Sequence, residues 1–206
     1  KPNGAASATA NGAETPAAAV AFGLAAAREP KIDRSRYETV RELARLEAWI
    51  ATAREAGRVA FDTETTGLDP MTADLVGFSL SVVPGEACYV PVGHISGSND
   101  LFGSSARVEG QIAKRDALEA LKPLLEDRSV LKIGQNLKSD CLVMRRHGIR
   151  ITSIDDTMLL SYALDGGKGQ HGMDPLSERH LAHTPMSFSQ VIEHAPAAKK
   201  KSDRTF

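Results

Sequence analysis

Residues 58–68 read RVAFDTETTGL: Arg58-Val59-Ala60-Phe61-Asp62-Thr63-Glu64-Thr65-Thr66-Gly67-Leu68. A short apolar run, Val59 to Phe61, enters this stretch and two carboxylates leave it. The run predicts a strand over 58–64, with Gly67 turning the chain afterwards. Side chains on a strand alternate faces, so Asp62 and Glu64 share one face. Two carboxylates at a strand end suit a hard divalent cation such as Mg²⁺ or Mn²⁺. Without a cation the same apposition is unfavourable, because close like charges resist joint ionisation. A bare Asp-x-Glu is usually an exposed acidic edge. Here the preceding apolar run puts the pair at the tip of a buried strand. A calcium loop of the EF-hand type does not fit: Gly67 falls at the sixth position, but Ala73 holds the twelfth, where a bidentate Glu is required.

Working outward, residues 41–56 carry Leu43, Leu46, Trp49, Ile50 and Ala53 at helical spacing, and Gly57 ends the run. Residues 74–83 and 86–92 read as two more strands around a Pro84-Gly85 turn. Short links make the three strands an antiparallel meander. Residues 93–110 read as loop. Helix is expected over 112–125, strand over 130–134, helix over 137–147 up to Gly148, and strand over 149–154. Helices follow over 157–164 and from Asp174 or Pro175 to Leu181, with Met158, Leu159 and Leu160 as core. The order β-β-β-α-β-α-β-α predicts an α/β fold: a mixed five-stranded sheet, antiparallel meander plus parallel strands, with helices on both faces.

A second candidate site is Gly134-Gln135-Asn136-Leu137-Lys138-Ser139-Asp140. It sits where a strand gives way to a helix. Asn136 is the expected N-cap, and Asp140 falls in the first turns, where the helix dipole favours negative charge. That alone describes any capped helix. The functional reading has the crossover bring Asp140 to face Asp62 and Glu64.

The chain has 206 residues with 25 Lys+Arg against 26 Asp+Glu, a formal net charge of −1. That excludes a broadly basic nucleic-acid coat and leaves room for a local phosphate grip. Two cysteines, Cys88 and Cys141, exclude a disulfide scaffold or a cysteine-built zinc module. The chain opens on Lys1 and reads as a piece of a longer one. Residues 1–35 are rich in Ala, Pro and Gly and are expected to be a disordered linker. Residues 17–27 are apolar, but no basic cluster precedes them, and 11 residues are too few for a membrane span. The basic run near Lys199–Lys201 reads as a solvated loop. His180 and His183 have chelating spacing without a third ligand. Residues 166–169 lack the spacing of a nucleotide-binding loop. Cys141 is expected to pack rather than react.

From about Tyr37 to Phe206 the sequence resembles the 3′–5′ proofreading exonuclease domain of bacterial DNA polymerase I. The matching stretches are FDTETTGLD (61–69), LVGFSLSVVPGEACYVPVGH (75–94), LKPLLED (121–127), LKIGQNLKSD (131–140), DTMLLSYAL (156–164) and MDPLSERHL (173–181). The resemblance implies an RNase H-like sheet and the DEDD exonuclease plan. Asp62, Glu64 and Asp140 then match catalytic metal carboxylates. Leu68 and Phe188 match apolar residues that wedge and stack against a frayed 3′ end. Thr65, Gln135, Asn136 and Lys138 match positions around the bound strand. Two Mg²⁺ or Mn²⁺ ions about 3.5–4 Å apart are implied, with Asp62 bridging, Glu64 on the hydroxide-generating ion and Asp140 on the other. The implied substrate is the 3′ end of single-stranded DNA. The implied partner is a polymerase domain of the same parent chain, in the cytoplasm at the nucleoid. No membrane and no obligate oligomer are implied.

The departures are specific. The family's third motif, Tyr-x-x-x-Asp, falls beyond the matching stretch, so residues 36–206 read as a domain lacking its C-terminal helix. Tyr162-x-x-Asp165 is one residue short and misplaced. Asp156 is the candidate stand-in for the fourth carboxylate. Ser139 and Gln170 stand where relatives often carry Tyr and Arg. The expected activity of this chain is therefore weak or absent. Two other readings remain: an RNA 3′-trimming exonuclease of the same fold, and a non-catalytic module that buttresses a polymerase.

Overall fold

The computed structural model describes residues 34–95, 107–186 and 190. The basic run at 199–204, Phe188 and most of the expected linker lie outside them. After a single 3₁₀ turn at Arg34–Arg36 come β1 (Tyr37–Thr39), α1 (Leu43–Ala56), β2 (Arg58–Thr65), β3 (Leu75–Ser81) and β4 (Ala87–Pro91). Then follow α2 (Lys114–Leu125), β5 (Leu131–Gly134), α3 (Lys138–Arg146), β6 (Ile154–Asp156), α4 (Thr157–Leu164) and α5 (Met173–Leu181).

Among the described residues the sheet has six strands in the order β1-β4-β3-β2-β5-β6, not the five expected. The added strand is β1, which pairs parallel with β4 from Tyr37↔Ala87 to Thr39↔Tyr89. It has only three residues, and its pairing is with a strand distant in sequence. β2, β3 and β4 form the expected meander. β5 and β6 run parallel to β2. β6 lies at Ile154–Asp156, beyond the expected strand over 149–154. Gly148 takes a left-handed φ of 73°, and Ile149 enters the core as part of the connection.

The register sorts the side chains cleanly. Val59, Phe61, Phe78, Leu80, Cys88 and Val90 share one face and are buried. Leu46, Trp49, Ile50 and Ala53 of α1 join them in one core, with Leu121, Leu124 and Leu125 of α2 and Val143 and Met144 of α3. Burial of such a face is the main stabilising term in the fold. The opposite face is small and polar near its centre: Ala60, Asp62 and Ser79 line a cavity there, and Met173 of α5 closes its edge. Lys132 of β5 is fully buried. Its ammonium donates to the carbonyls of Asp127 at 2.6 Å and Val130 at 2.7 Å, tying down the turn before β5.

The expected core position of Met158, Leu159 and Leu160 is corrected for the last two. Leu159 and Leu160 are 60% and 50% exposed. α4 packs on the end of β6, and the described residues leave these two side chains at least half exposed.

Candidate active site

β2 is the hinge of the site. Its first half pairs with β5 from Arg58↔Leu131 to Ala60↔Ile133, and there the pairing stops. Its second half stays paired with β3, through Asp62↔Ser79 and Glu64↔Gly77, until a register shift at Glu64/Thr65. Past Ala60 the β5 side of β2 therefore opens. Gly134 ends β5 at that point. A Cβ there would lie 2.9 Å from the Phe61 carbonyl oxygen and 2.4 Å from a Leu137 methyl. Only glycine lets the chain turn this close to β2.

Into the opening comes α3. Asp140 lies in its first turn and is buried. Its Oδ1 accepts the Thr63 N–H at 2.9 Å and the Thr63 hydroxyl at 2.6 Å. Thr63 points to the helix side of β2, so it places Asp140 against the strand that carries the other two carboxylates. Burial raises the pKa of Asp140 above the ordinary range. The Thr63 bonds oppose that rise, and the charge of Asp156 adds to it. Asp62 is pushed up to about 6, first by burial and then by the negative charges of Asp140 and Glu64. The three carboxylates thus feel one another.

An open cleft of ≈ 200 Å³ is lined by Asp62, Thr63, Thr65, Leu68, Gln135, Asn136, Ser139 and Asp140, among others. It gathers most of the site residues expected from sequence. Glu64 shares a sheet face with Asp62 but stands outside the cleft, exposed at its rim. Lys138 lines a different cavity with Cys141, Leu142, Arg145 and Arg150, on the outer side of α3. Leu68 is fully exposed, an apolar side chain with none of the described residues over it. Gln135 is already engaged: its amide nitrogen donates to the His171 carbonyl at 2.8 Å, and its oxygen accepts the Thr157 hydroxyl at 2.5 Å. The Thr65 hydroxyl donates to the Gly67 carbonyl at 2.8 Å. These two residues shape the cleft walls.

Asn136 is not the N-cap. It sits at a left-handed φ of 59°, a conformation Asn tolerates better than most residues. The helix starts at Lys138, after Leu137. The capping role passes to Asp156, from the neighbouring strand. Its carboxylate accepts the N–H groups of Asn136 at 3.0 Å and Leu137 at 2.9 Å. It also caps α4 through Met158 at 2.9 Å and Leu159 at 3.4 Å. The α4 cap was missed from sequence, although Asp-Thr before a helix is a signal that could have found it.

The donor set offers hard carboxylate oxygens, and the raised pKa of Asp62 marks a place where a cation would relieve repulsion. Chemically the residues fit a Mg²⁺ or Mn²⁺ ion. Among the described residues, however, no three His, Cys, Asp or Glu side chains stand close enough to form a ready-made metal cage.

A mixed sheet with helices packed on it, its central strand parting from its neighbour beside Asp62 and Asp140, has the RNase H-like fold. The match to known proteins narrows this: residues 37–202 fit the family described as 3′-5′ exonuclease, and the chain belongs to that family. It is 51% identical over 183 residues to DNA polymerase I of Rhizobium leguminosarum, covering 84% of this chain and 17% of that protein. It is 39% identical over 158 residues to DNA polymerase I of Pseudomonas aeruginosa, covering 75% of this chain and 16% of that protein. The chain therefore spans about a sixth of the length of these relatives. Among solved structures, Brucella melitensis NrnC with bound Mg²⁺ superposes with a TM-score of 0.51 at 21% identity, over 74% of this chain and 64% of that one. That likeness concerns the fold. No helix among the described residues is long and apolar enough to cross a membrane.

Proposed function

We propose that this chain is the editing domain of a DNA polymerase I, removing nucleotides from the 3′ end of single-stranded or frayed DNA and releasing 5′-mononucleotides. The observation that carries the reading is the convergence of Asp62 and Asp140 on one open cleft, with Asp62 raised to about 6 by burial and by its acidic neighbours. Asp62, Glu64 and Asp140 would hold two divalent cations. Bound there, the cations would supply an activated water and neutralise charge at the phosphodiester. The protein's own contribution is position. Thr63 fixes Asp140, and Asp156 fixes the Gln135–Leu137 turn beside it. Leu68 offers an apolar surface at the cleft mouth for the terminal base. Such contacts read no base identity, as editing requires. Ser139 leaves more room in the cleft than a tyrosine would. The Asp156 carboxylate is occupied by backbone N–H groups, which argues against its serving as the fourth ligand. A polymerase domain in the same parent chain and a cytoplasmic, nucleoid-associated setting belong to this proposal.

The test is incubation of the chain with 5′-labelled single-stranded DNA and Mn²⁺. The expected activity of this chain is weak or absent; any ladder that does shorten from the 3′ end should be lost in Asp62→Ala, a slowing of about 10³-fold or more. A ladder indifferent to Asp62→Ala sinks the catalytic assignment. Faster trimming of an RNA 3′ end than a DNA one favours the RNA-processing alternative. No ladder, with no Mn²⁺ bound, favours the scaffold reading.

A further inference from the structure

On the sheet face that carries Asp62 and Glu64 lies a polar pair the site has not yet used. Tyr89 is on β4, in register with Ser79, which is in register with Asp62. Its hydroxyl lies 2.7 Å from Nε2 of His94, and the two rings meet edge to face, 5.7 Å between centroids. His94 is held in turn. Its N–H donates to the Gln111 side-chain oxygen at 2.8 Å, and its carbonyl accepts the Gln111 amide at 2.8 Å and the Val108 N–H at 3.0 Å. Both rings are half-buried.

The Tyr89 ring crosses β3 over Gly77. A Cβ on Gly77 would stand 2.1 Å from the Tyr89 hydroxyl oxygen and 2.4 Å from the carbon that bears it. The hydroxyl thus occupies the space of the missing side chain. Gly77 is the register partner of Glu64. Facing Cβ atoms in an antiparallel pair are about 4.5–5.5 Å apart. The Tyr89 hydroxyl, 2.1 Å from that point, therefore stands roughly 3–7 Å from the Glu64 Cβ, a range the carboxylate can span. The pKa of the phenol is raised, first by burial and then by the charge of Glu64.

We propose that Tyr89, backed by His94, is a positioning residue for the Glu64 carboxylate, fixing which oxygen turns toward a bound divalent cation. With the proton on Nε2, His94 donates to the phenolic oxygen and leaves the phenol O–H free to donate to Glu64. This is the usual architecture behind a metal-binding carboxylate, whose outer partners set its orientation. Gly77 is what admits the phenol to that place. The inference rests on the reading of Asp62, Glu64 and Asp140 as cation ligands.

The test titrates Mn²⁺ into the 206-residue chain and into Tyr89→Phe, Glu64→Gln and the double variant, following free Mn²⁺ by paramagnetic resonance. Phe keeps the ring over Gly77, and a thermal melt checks that the fold is unchanged. Tyr89→Phe should weaken Mn²⁺ binding about tenfold, and the double variant should bind no worse than Glu64→Gln alone. An affinity for Tyr89→Phe within about twofold of the wild type overturns the proposal. So do losses that simply add in the double variant, or a loss that tracks a lowered melting temperature. If the wild type binds Mn²⁺ and Asp62→Ala does not, the underlying site stands whatever Tyr89 does. If the wild type binds none, that reading and this proposal both fall.

Discussion

Two aspartates close the same end of the sheet, Asp156 buried and Asp62 half-buried, and they are treated in opposite ways. Asp156, at the end of β6, is surrounded by backbone donors: Asn136, Leu137, Met158 and Leu159 all give it their N–H groups. Asp62, near the end of β2, is surrounded by other acids and is pushed up to about 6 by burial and their charge. One carboxylate is compensated and holds two loops together. The other is left with a repulsion that the fold does not relieve. Asp140 stands between them, tied to Thr63 yet still raised. A folded chain tolerates such a corner only if the rest is stable enough, and the compensated corner is part of what makes it so.

The largest effect is expected from breaking the compensated corner. Asp156→Ala orphans several N–H groups at once, some of them buried, and removes the cap of α4. It should lower stability by about 3 kcal/mol in urea unfolding. A loss under about 1 kcal/mol would mean that the turn and the helix find other partners. If stability holds but Mn²⁺ binding is lost, Asp156 is a ligand after all and the contrast collapses.

Next in size is Thr63→Val. It removes the O–H donor 2.6 Å from Asp140 and leaves the backbone N–H in place. A hydrogen bond to a buried carboxylate contributes about 1.5–3 kcal/mol, so a loss of about 2 kcal/mol is expected near pH 7. The pKa of Asp140 should rise further, visible by NMR titration. An unmoved Asp140 would show that its position comes from α3 alone.

Much of this contrast was legible in the sequence, and the illegible parts share a cause. β2 to β4 announce themselves by alternation and turns, and α1 to α3 by helical spacing, because those patterns are local. β1 has three residues and is defined by pairing with β4, a partner on the far side of α1, β2 and β3. Leu159 and Leu160 look like core by composition, but exposure depends on what packs over α4. Asp62 and Glu64 could be read as a pair because strand geometry fixes them. That Glu64 stands at the rim, that Gln135 is spent on His171 and Thr157, and that Tyr89 passes over Gly77 are all consequences of register between strands or loops. The cap provided by Asp156 to α4 had a local signal. Its hold on the Asn136–Leu137 turn had none, since that turn is some 20 residues away.

The smallest expected effect isolates the uncompensated corner most directly. In the folded protein Asp62 titrates near 6, against 3.8 for the unperturbed group. Between those values the folded state binds more protons than the unfolded one, so stability falls as pH rises through the window. The contribution is fully favourable below about 3.8 and fully lost above about 6. Taken at face value the difference is worth about 3 kcal/mol; the openness of the cleft to solvent reduces it to about 1 kcal/mol. Asp62→Asn removes the charge and keeps the shape. It should therefore stabilise the metal-free chain by about 1 kcal/mol at pH 8 and by almost nothing at pH 4, measured as urea midpoints. A gain equal at both pH values would assign the effect to packing instead of charge. Mn²⁺ supplies the decisive second arm. It should raise the melting temperature of the wild type and leave that of Asp62→Asn nearly unmoved, because only the wild type has a repulsion for the cation to relieve.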